Sequence, residues 1–221
     1  MALEPRWSVL GDRNEWLVDT YTAVRDDWAT VRSISMAPDT RTEYEYLREK
    51  DPWSMPLQQR AALFIYLNRV GFRGMFRVNR EGRFNVPYGG KQGRNGASPE
   101  TYAAASRVLQ GAELRRGDFL DTLAGVTPAD FVYFDPPYVD QEDAESFTAY
   151  TQDRFTIADQ ARLAAACRSL DRMGVRWALS NHDTGFVRML YDGFRIRSFL
   201  APRRIRPEKQ QEAAEVLVTN Y

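Results

Sequence analysis

The tetrapeptide Asp135-Pro136-Pro137-Tyr138 closes the run "FVYFDPPY". Its residue types suit the holding of an amino group. Ligands of open α/β sheets gather beyond the carboxyl ends of the strands, and an apolar run ending in an acid puts Asp135 at such an end. The two prolines fix φ and remove two backbone donors, so the carbonyls of Asp135 and Pro136 can face outward. Tyr138 adds a flat face beside them. One carboxylate and one carbonyl can then accept both hydrogens of an amino group while its ring stacks on the tyrosine. Accepting both draws the nitrogen lone pair out of conjugation and makes it more nucleophilic, so no strong base is needed. The plainer reading is a Pro-Pro turn with Asp135 as a helix cap. The apolar strand ahead of it, within an α/β pattern, favours the first reading.

The elements that must position this tetrapeptide are legible from periodicity. Trp7 to Leu10 reads as a buried strand ending at Gly11-Asp12. Leu17, Tyr21, Val24, Trp28 and Val31 recur at helical spacing. A second helix starts after Pro56. Phe76 and Val78, then Phe84 and Val86, alternate with Arg77, Asn79, Arg83 and Asn85 around Arg80-Glu81-Gly82, which predicts a β-hairpin. Ser98 and Pro99 open another helix. From Gly117 onward strands and helices alternate again: "ELRRGDF", "ADFVYFDPPY", a helix opened by a capping box of Thr156 and Asp159, "VRWALSNHD", a short helix from Thr184, then "FRIRSFLA" and "EVLVTNY". The alternation predicts a mostly parallel sheet covered on both faces. Residues 1–39 and 111–221 read as one α/β domain and 40–110 as an inserted subdomain.

Composition excludes little. Thirty basic and thirty acidic residues balance among 221, so only local clustering can indicate a partner. The single cysteine, Cys167, rules out a disulfide framework and reads as a buried structural thiol. One histidine, His182, argues against a histidine metal site, and no metal is expected. Neither a signal peptide nor an apolar span is read, which predicts a soluble, cytoplasmic protein. The exception to charge balance is the stretch from Arg69 to Arg83, with five arginines and one acid. With Lys91 and Arg94 it forms a basic strip suited to phosphates. A solvated hairpin face is the alternative. The glycine-rich "GGKQGRNG" lacks Walker spacing and reads as a loop.

Taken together, "GDRN", "ALFIYLNRVGFRGMFRVNREGRFNVPYG", "GDF", "DPPY", "SFTAYTQDRFT" and "ALSNHD" resemble, in order and spacing, the motifs of the Dam-type DNA adenine-N6 methyltransferases. The resemblance covers nearly the whole chain from Trp7 to Tyr221. It implies a Rossmann-like class I methyltransferase sheet with an inserted helix/β-hairpin DNA-recognition subdomain. The substrate would be double-stranded DNA and the donor S-adenosylmethionine. Asp135, Pro136, Pro137 and Tyr138 would hold a flipped adenine, with Phe155 a second aromatic near it. Asp12 would bind the donor's ribose, and Asp118 and Phe119 would flank its adenine; read alone, an acid after a strand is as often a helix cap. In the recognition segment Arg77 would read a guanine, Phe72 wedge into the duplex, and Met75 and Pro87 pack on bases. Arg69, Arg73, Asn79 and Arg80 would add DNA contacts, as would Arg203, Arg204 and Arg206. The family usually has asparagine where this chain has Arg73, which leaves the target site open, GATC included.

One part of the pattern is missing. The family opens with a lysine- and glycine-containing motif and a strand ending in Phe-x-Gly-x-Gly, the central strand of its sheet. Nothing before Trp7 resembles either, and the 221 residues contain no Gly-x-Gly. Three readings follow: a small second polypeptide supplies the unit, the complete protein has it, or the chain is a non-catalytic DNA-binding or regulatory module. The intact Asp-Pro-Pro-Tyr argues against the last. Methylation of RNA or protein amines would use a similar tetrapeptide but leaves the hairpin without a task.

Overall fold

The computed structural model describes residues 5–90, 95–138, 155–206 and 209–221; the side chains of 202–213 lie outside the description. Lys91, Arg94 and most of "SFTAYTQDRFT" also lie outside it. The chain forms two compact units, Met1–Ala124 and Gly125–Tyr221. Among the described residues no helix is long and apolar enough to cross a membrane.

In the first unit, β1 (Ser8–Asp12) pairs in parallel with β2 (Ala112–Arg116), in register from Ser8↔Ala112 to Asp12↔Arg116. A parallel pair needs a long crossover, and four helices provide it: α1 (Glu15–Ser35), α2 (Arg41–Arg48), α3 (Leu57–Val70) and α4 (Pro99–Leu109). A short α5 (Phe119–Thr122) follows β2. Asn14 caps α1 by accepting from the Trp16 and Leu17 amides, and Ser98 caps α4 ahead of Pro99, as the sequence predicts. The buried stripe of α1 differs from the predicted one: Trp16, Thr20, Ala23, Val24 and Val31 are buried, whereas Tyr21 is exposed. Asp27 has non-helical angles (φ −152°, ψ 65°) and interrupts α1. The helix serves two apolar clusters, one of Trp16, Tyr44, Leu63, Tyr66, Leu67, Val70, Phe84 and Val86, the other including Ala23 and Val24 before the kink, Val31 after it, Ala61 and Tyr102.

The second unit holds a four-stranded sheet in the order β3 (Phe131–Phe134), β4 (Arg176–His182), β6 (Lys209–Thr219), β5 (Arg195–Arg206). β3 and β4 are parallel; β6 runs antiparallel to both β4 and β5. The sheet is therefore mixed, because Arg206 and Lys209 are already paired across the connection of β5 to β6 and a short connection permits only a hairpin. Helix α6 (Ile157–Arg172) buries Leu163, Ala164, Cys167 and Leu170. α7 (Gly185–Leu190) follows β4. Burial pushes the Cys167 thiol up to about 12, which makes it inert as a nucleophile at neutral pH.

β3 is not the buried central strand that its sequence suggests. It is the edge of its sheet, and only Phe134 is buried, with Phe131 51% and Tyr133 56% exposed.

At the start of α6 the Thr156 hydroxyl accepts from the Asp159 amide, and Asp159 accepts from the Thr156 amide at 2.9 Å. That backbone bond, with the Thr156 hydroxyl and Arg162, holds the Asp159 carboxyl below its ordinary value against partial burial. Thr156→Ala should lower the stability of this unit by about 1 kcal/mol, measured by amide exchange in the first turns of α6. Because the folded value is depressed, Asp159 contributes fully above the ordinary carboxylate value and its contribution disappears as pH falls through the folded one. The protection difference between wild type and Asp159→Asn, corrected for intrinsic exchange, should narrow from about pH 6 to about pH 3.

Candidate functional site

Asp135 follows β3 directly and is exposed, whereas Pro136 is buried. With no amide hydrogen on Pro136 or Pro137, the turn is held by side chains. Gln160, fully buried on α6, donates its Nε2 to the Pro137 carbonyl at 2.9 Å. Its Oε1 accepts from Asn181 Nδ2 at 3.2 Å, and Asn181 Oδ1 accepts from the His182 amide at 2.8 Å. Ser180 Oγ donates to Asp135 Oδ1 at 2.7 Å and accepts from the Tyr133 phenol at 3.1 Å. The Tyr138 phenol donates to Glu215 Oε2 at 3.3 Å, and its ring meets His182 edge-on at 4.6 Å between centroids. Burial first, with the Glu215 and Asp135 charges behind it, pushes the Tyr138 phenol above its ordinary value; a bond with Ser180 opposes this. The phenol is a neutral donor at neutral pH.

Ser180, Asn181, His182, Gln160 and Glu215 were not assigned roles from the sequence. A signal existed. Ser180-Asn181 sits at the end of the apolar run "VRWAL", and Gln160 falls on the same helical face as Leu163, Cys167 and Leu170. A polar residue at a core position is retained where it has a partner. Phe155 immediately precedes the α6 cap and is partly buried.

In the first unit, Asp12 and Asp118 come to the same end of two neighbouring strands: the Gly117 amide donates to the Asp12 carbonyl at 3.2 Å. Both also do the plainer work of turn formation. Asp12 Oδ1 accepts from the Asn14 amide at 2.7 Å. Asp118 caps α5, accepting from the Leu120 amide at 3.0 Å, with Phe119 next to it. An exposed carboxylate at a parallel strand's carboxyl end fits a pair of ribose hydroxyls, its acceptor oxygens matching their donors.

The predicted hairpin is a tight antiparallel loop with isolated bridges, Val78↔Phe84 and Gly71↔Tyr88, in place of regular strands. The return arm is anchored by buried Phe84 and Val86; on the outgoing arm the Phe76 ring, 38% exposed, packs against Trp16, Phe64 and Phe84, and Val78 is exposed. The Tyr44 phenol donates to the Val86 carbonyl at 2.9 Å. Gly89 packs so closely on the end of α3 that a Cβ would lie 2.8 Å from the Gly71 carbonyl oxygen. Asn79 Oδ1 accepts from the Glu81 and Arg83 amides at 3.1 and 2.9 Å and shapes the tip. Phe72, Arg73, Met75, Arg77, Arg80 and Pro87 are all exposed around this loop, and the Phe72 amide donates to the Pro87 carbonyl at 2.9 Å. Arg77 is held by Asn85: Nε donates to Oδ1 at 2.7 Å and Nη2 to the carbonyl at 3.1 Å. Arg69 is turned inward, Nη2 donating to the Ser35 and Ala37 carbonyls at 3.1 and 3.0 Å. The end of α1 needs donors for its last carbonyls, so Arg69 braces the fold. Arg203 and Arg204 pair by backbone with Gln211 and Gln210; their side chains and that of Arg206 lie outside the described residues.

An exposed carboxylate at the end of a strand, in a chain that also presents an arginine loop, fits the class of nucleic-acid base methyltransferases. The chain is a member of the D12 class N6 adenine-specific DNA methyltransferases, whose family model matches residues 4–205. It is 33% identical to the Type II methyltransferase M.MjaIII of Methanocaldococcus jannaschii, over 96% of this chain and 80% of that protein. It is 32% identical to the Type II methyltransferase M1.LlaDCHI of Lactococcus lactis subsp. cremoris, over 99% and 81%. It is also 32% identical to the DNA adenine methylase of Escherichia coli K12, over 89% and 72%. The protein is thus an adenine-specific DNA methyltransferase, and S-adenosylmethionine is its methyl donor.

Arg73 has a left-handed backbone (φ 58°). Asparagine enters that region more readily than arginine. This gives a physical reason for the asparagine usual in the family at this position. Arg73→Asn should therefore stabilise the first unit by up to about 1 kcal/mol, seen as a raised thermal midpoint.

Proposed function

We propose that the Asp135 carboxylate and the Pro136 carbonyl accept the two N6 hydrogens of a flipped adenine while Tyr138 stacks on the base. The observation that carries this reading is the division of acceptors. The Pro137 carbonyl is claimed by Gln160 and Asp135 Oδ1 by Ser180, while Asp135 stays exposed at the strand end. Two bonds to the amino hydrogens raise the electron density on N6, and the proton is lost after the nitrogen has bonded to carbon. S-adenosylmethionine supplies the methyl group when bound. Asp12 would hold its ribose, with Asp118 and Phe119 beside its adenine, and Phe155 would line the target-base pocket.

The 40–110 segment is proposed as the target-recognition subdomain. Asn85 occupies Nε and one Nη2 hydrogen of Arg77, so the remaining Nη hydrogens can pair with guanine O6 and N7. Phe72 would enter the base stack, with Met75 and Pro87 against bases. Arg73, Arg80, Arg203 and Arg204 would meet phosphates, and Asn79 would hold the loop tip against the backbone.

The expected central strand also belongs here as a proposal. Among the described residues β1 pairs only with β2, and β3 only with β4. Trp7 and Leu10 at β1, and Phe131 and Tyr133 on β3, are large apolar residues left exposed. A strand-loop-helix unit of ~30 or more residues from outside these 221 residues would pair such edges and cover such faces. It would come either from more of the same chain or from a small second polypeptide carrying the Phe-x-Gly-x-Gly loop.

Tritiated donor and duplex DNA test the reading. Asp135→Ala should abolish methyl transfer and leave DNA affinity intact; loss of DNA binding instead would make Asp135 structural. Arg77→Ala should cost about 1–3 kcal/mol at a single base position, and uniform weakening across sequences would reassign it to a phosphate. Incorporation should require the unit carrying Phe-x-Gly-x-Gly, and full activity of residues 1–221 alone would reject that requirement.

A further inference from the structure

Asp135 is exposed and lies on a turn with no backbone donor in its next two residues, so nothing local sets the rotation of its carboxylate. Aspartate χ2 is broad and roughly two-fold. Small displacements of an acceptor are expensive in rate, since misplacement by about 1 Å can cost ~100-fold. The structure supplies a remedy that the tetrapeptide does not contain. Ser180, 7% exposed on the neighbouring strand β4, donates to Asp135 Oδ1 at 2.7 Å. A serine hydroxyl has one proton and two lone pairs. Here one lone pair takes the Tyr133 phenol proton at 3.1 Å, so the serine proton is committed to Asp135. The order is directional: Tyr133 to Ser180 to Asp135.

The register of the sheet explains why these three meet. β3 and β4 are parallel, with Tyr133 opposite Ala178 and Phe134 opposite Leu179. Ser180 is therefore the next residue along β4, level with Asp135 just beyond the end of β3. Side chains two apart share a sheet face, which places Tyr133 and Asp135 on the same side.

We propose that Ser180, oriented by Tyr133, is a positioning residue for methyl transfer: it locks the Asp135 carboxylate through Oδ1 and leaves Oδ2 to the adenine amino group. The inference rests on the proposed role of Asp135. Ser180 itself need not touch DNA or donor.

Single-turnover methyl transfer to duplex DNA, at saturating donor and with the protein in its complete, methyl-transferring form, tests it. Ser180→Ala should slow transfer by roughly 10- to 100-fold while the Kd for DNA and the amide-exchange protection of β4 stay at wild-type values. Ser180→Thr, which keeps the hydroxyl, should recover most of the rate. Tyr133→Phe should slow transfer less than Ser180→Ala and should add nothing in the Ser180→Ala background, because the phenol acts through the serine. A wild-type rate in Ser180→Ala would overturn the inference, as would a loss confined to DNA affinity or to fold. Independent, multiplicative effects of the two hydroxyls would overturn the series arrangement. Asp135→Ala is assayed alongside: if it also transfers at the wild-type rate, the acceptor assignment itself fails, whereas an inactive Asp135→Ala beside a fully active Ser180→Ala removes only the role of Ser180.

Discussion

Pro136 and Pro137 have no amide hydrogen, so the turn that follows β3 cannot brace itself through its own backbone donors. Four side chains of the second unit supply that support. Gln160 is buried in the helix α6 to reach one proline carbonyl. Asn181 holds Gln160, and Ser180 holds Asp135. Glu215, on an antiparallel strand, takes the Tyr138 phenol. These are polar groups in or beside a core, where an unsatisfied partner costs about 1–3 kcal/mol. Their pairing therefore makes the turn rigid as well as stable. In the proposed role the prolines would leave acceptors to a substrate, and neighbouring side chains restore the order that the prolines remove.

The recognition loop solves the same problem with different means. It has too few ladder bonds to stand as a hairpin on its own. It is held instead by two buried residues on one arm, by the Tyr44 phenol, by Asn79 at the tip and by close backbone approach at Gly71 and Gly89. The loop presents Phe72, Met75 and Arg77 to solvent, while the Phe76 ring packs on Trp16, Phe64 and Phe84. Exposed apolar residues next to arginines are costly for a free protein and useful for one that reads stacked bases. Arg77 is further restricted by Asn85, which reduces the side-chain entropy lost on binding.

Among the described residues, β1 and β3 each have an open edge and lie beside exposed large apolar residues, and the further strand and helix proposed above would cover them. β3 combines an unpaired edge with the site-bearing carboxyl end, so the completeness of the sheet and the chemistry of Asp135 are linked through one short strand.

Much of this was legible in the residues. The alternation of apolar runs and helical periods defined the α/β class; Ser98, Thr156 and Asp159 marked helix starts through local cap chemistry; Asp-Pro-Pro-Tyr and the arginine loop suggested the acceptor and the DNA surface of the proposed function. These are short-range signals, set within a few residues by backbone sterics and side-chain hydrogen bonding. What the residues alone did not determine depends on contacts distant in sequence. Arg69 looked like part of the basic strip, yet the carbonyls ending α1 draw it inward. β3 looked central because it is apolar, yet in this structure it is an edge. Ser180 and Gln160 are marked locally only as polar residues at core positions, and Glu215 is not marked at all. Only the parallel register of β3 with β4, the packing of α6 and the return of β6 bring them to Asp135 and Tyr138, across separations that no local pattern encodes.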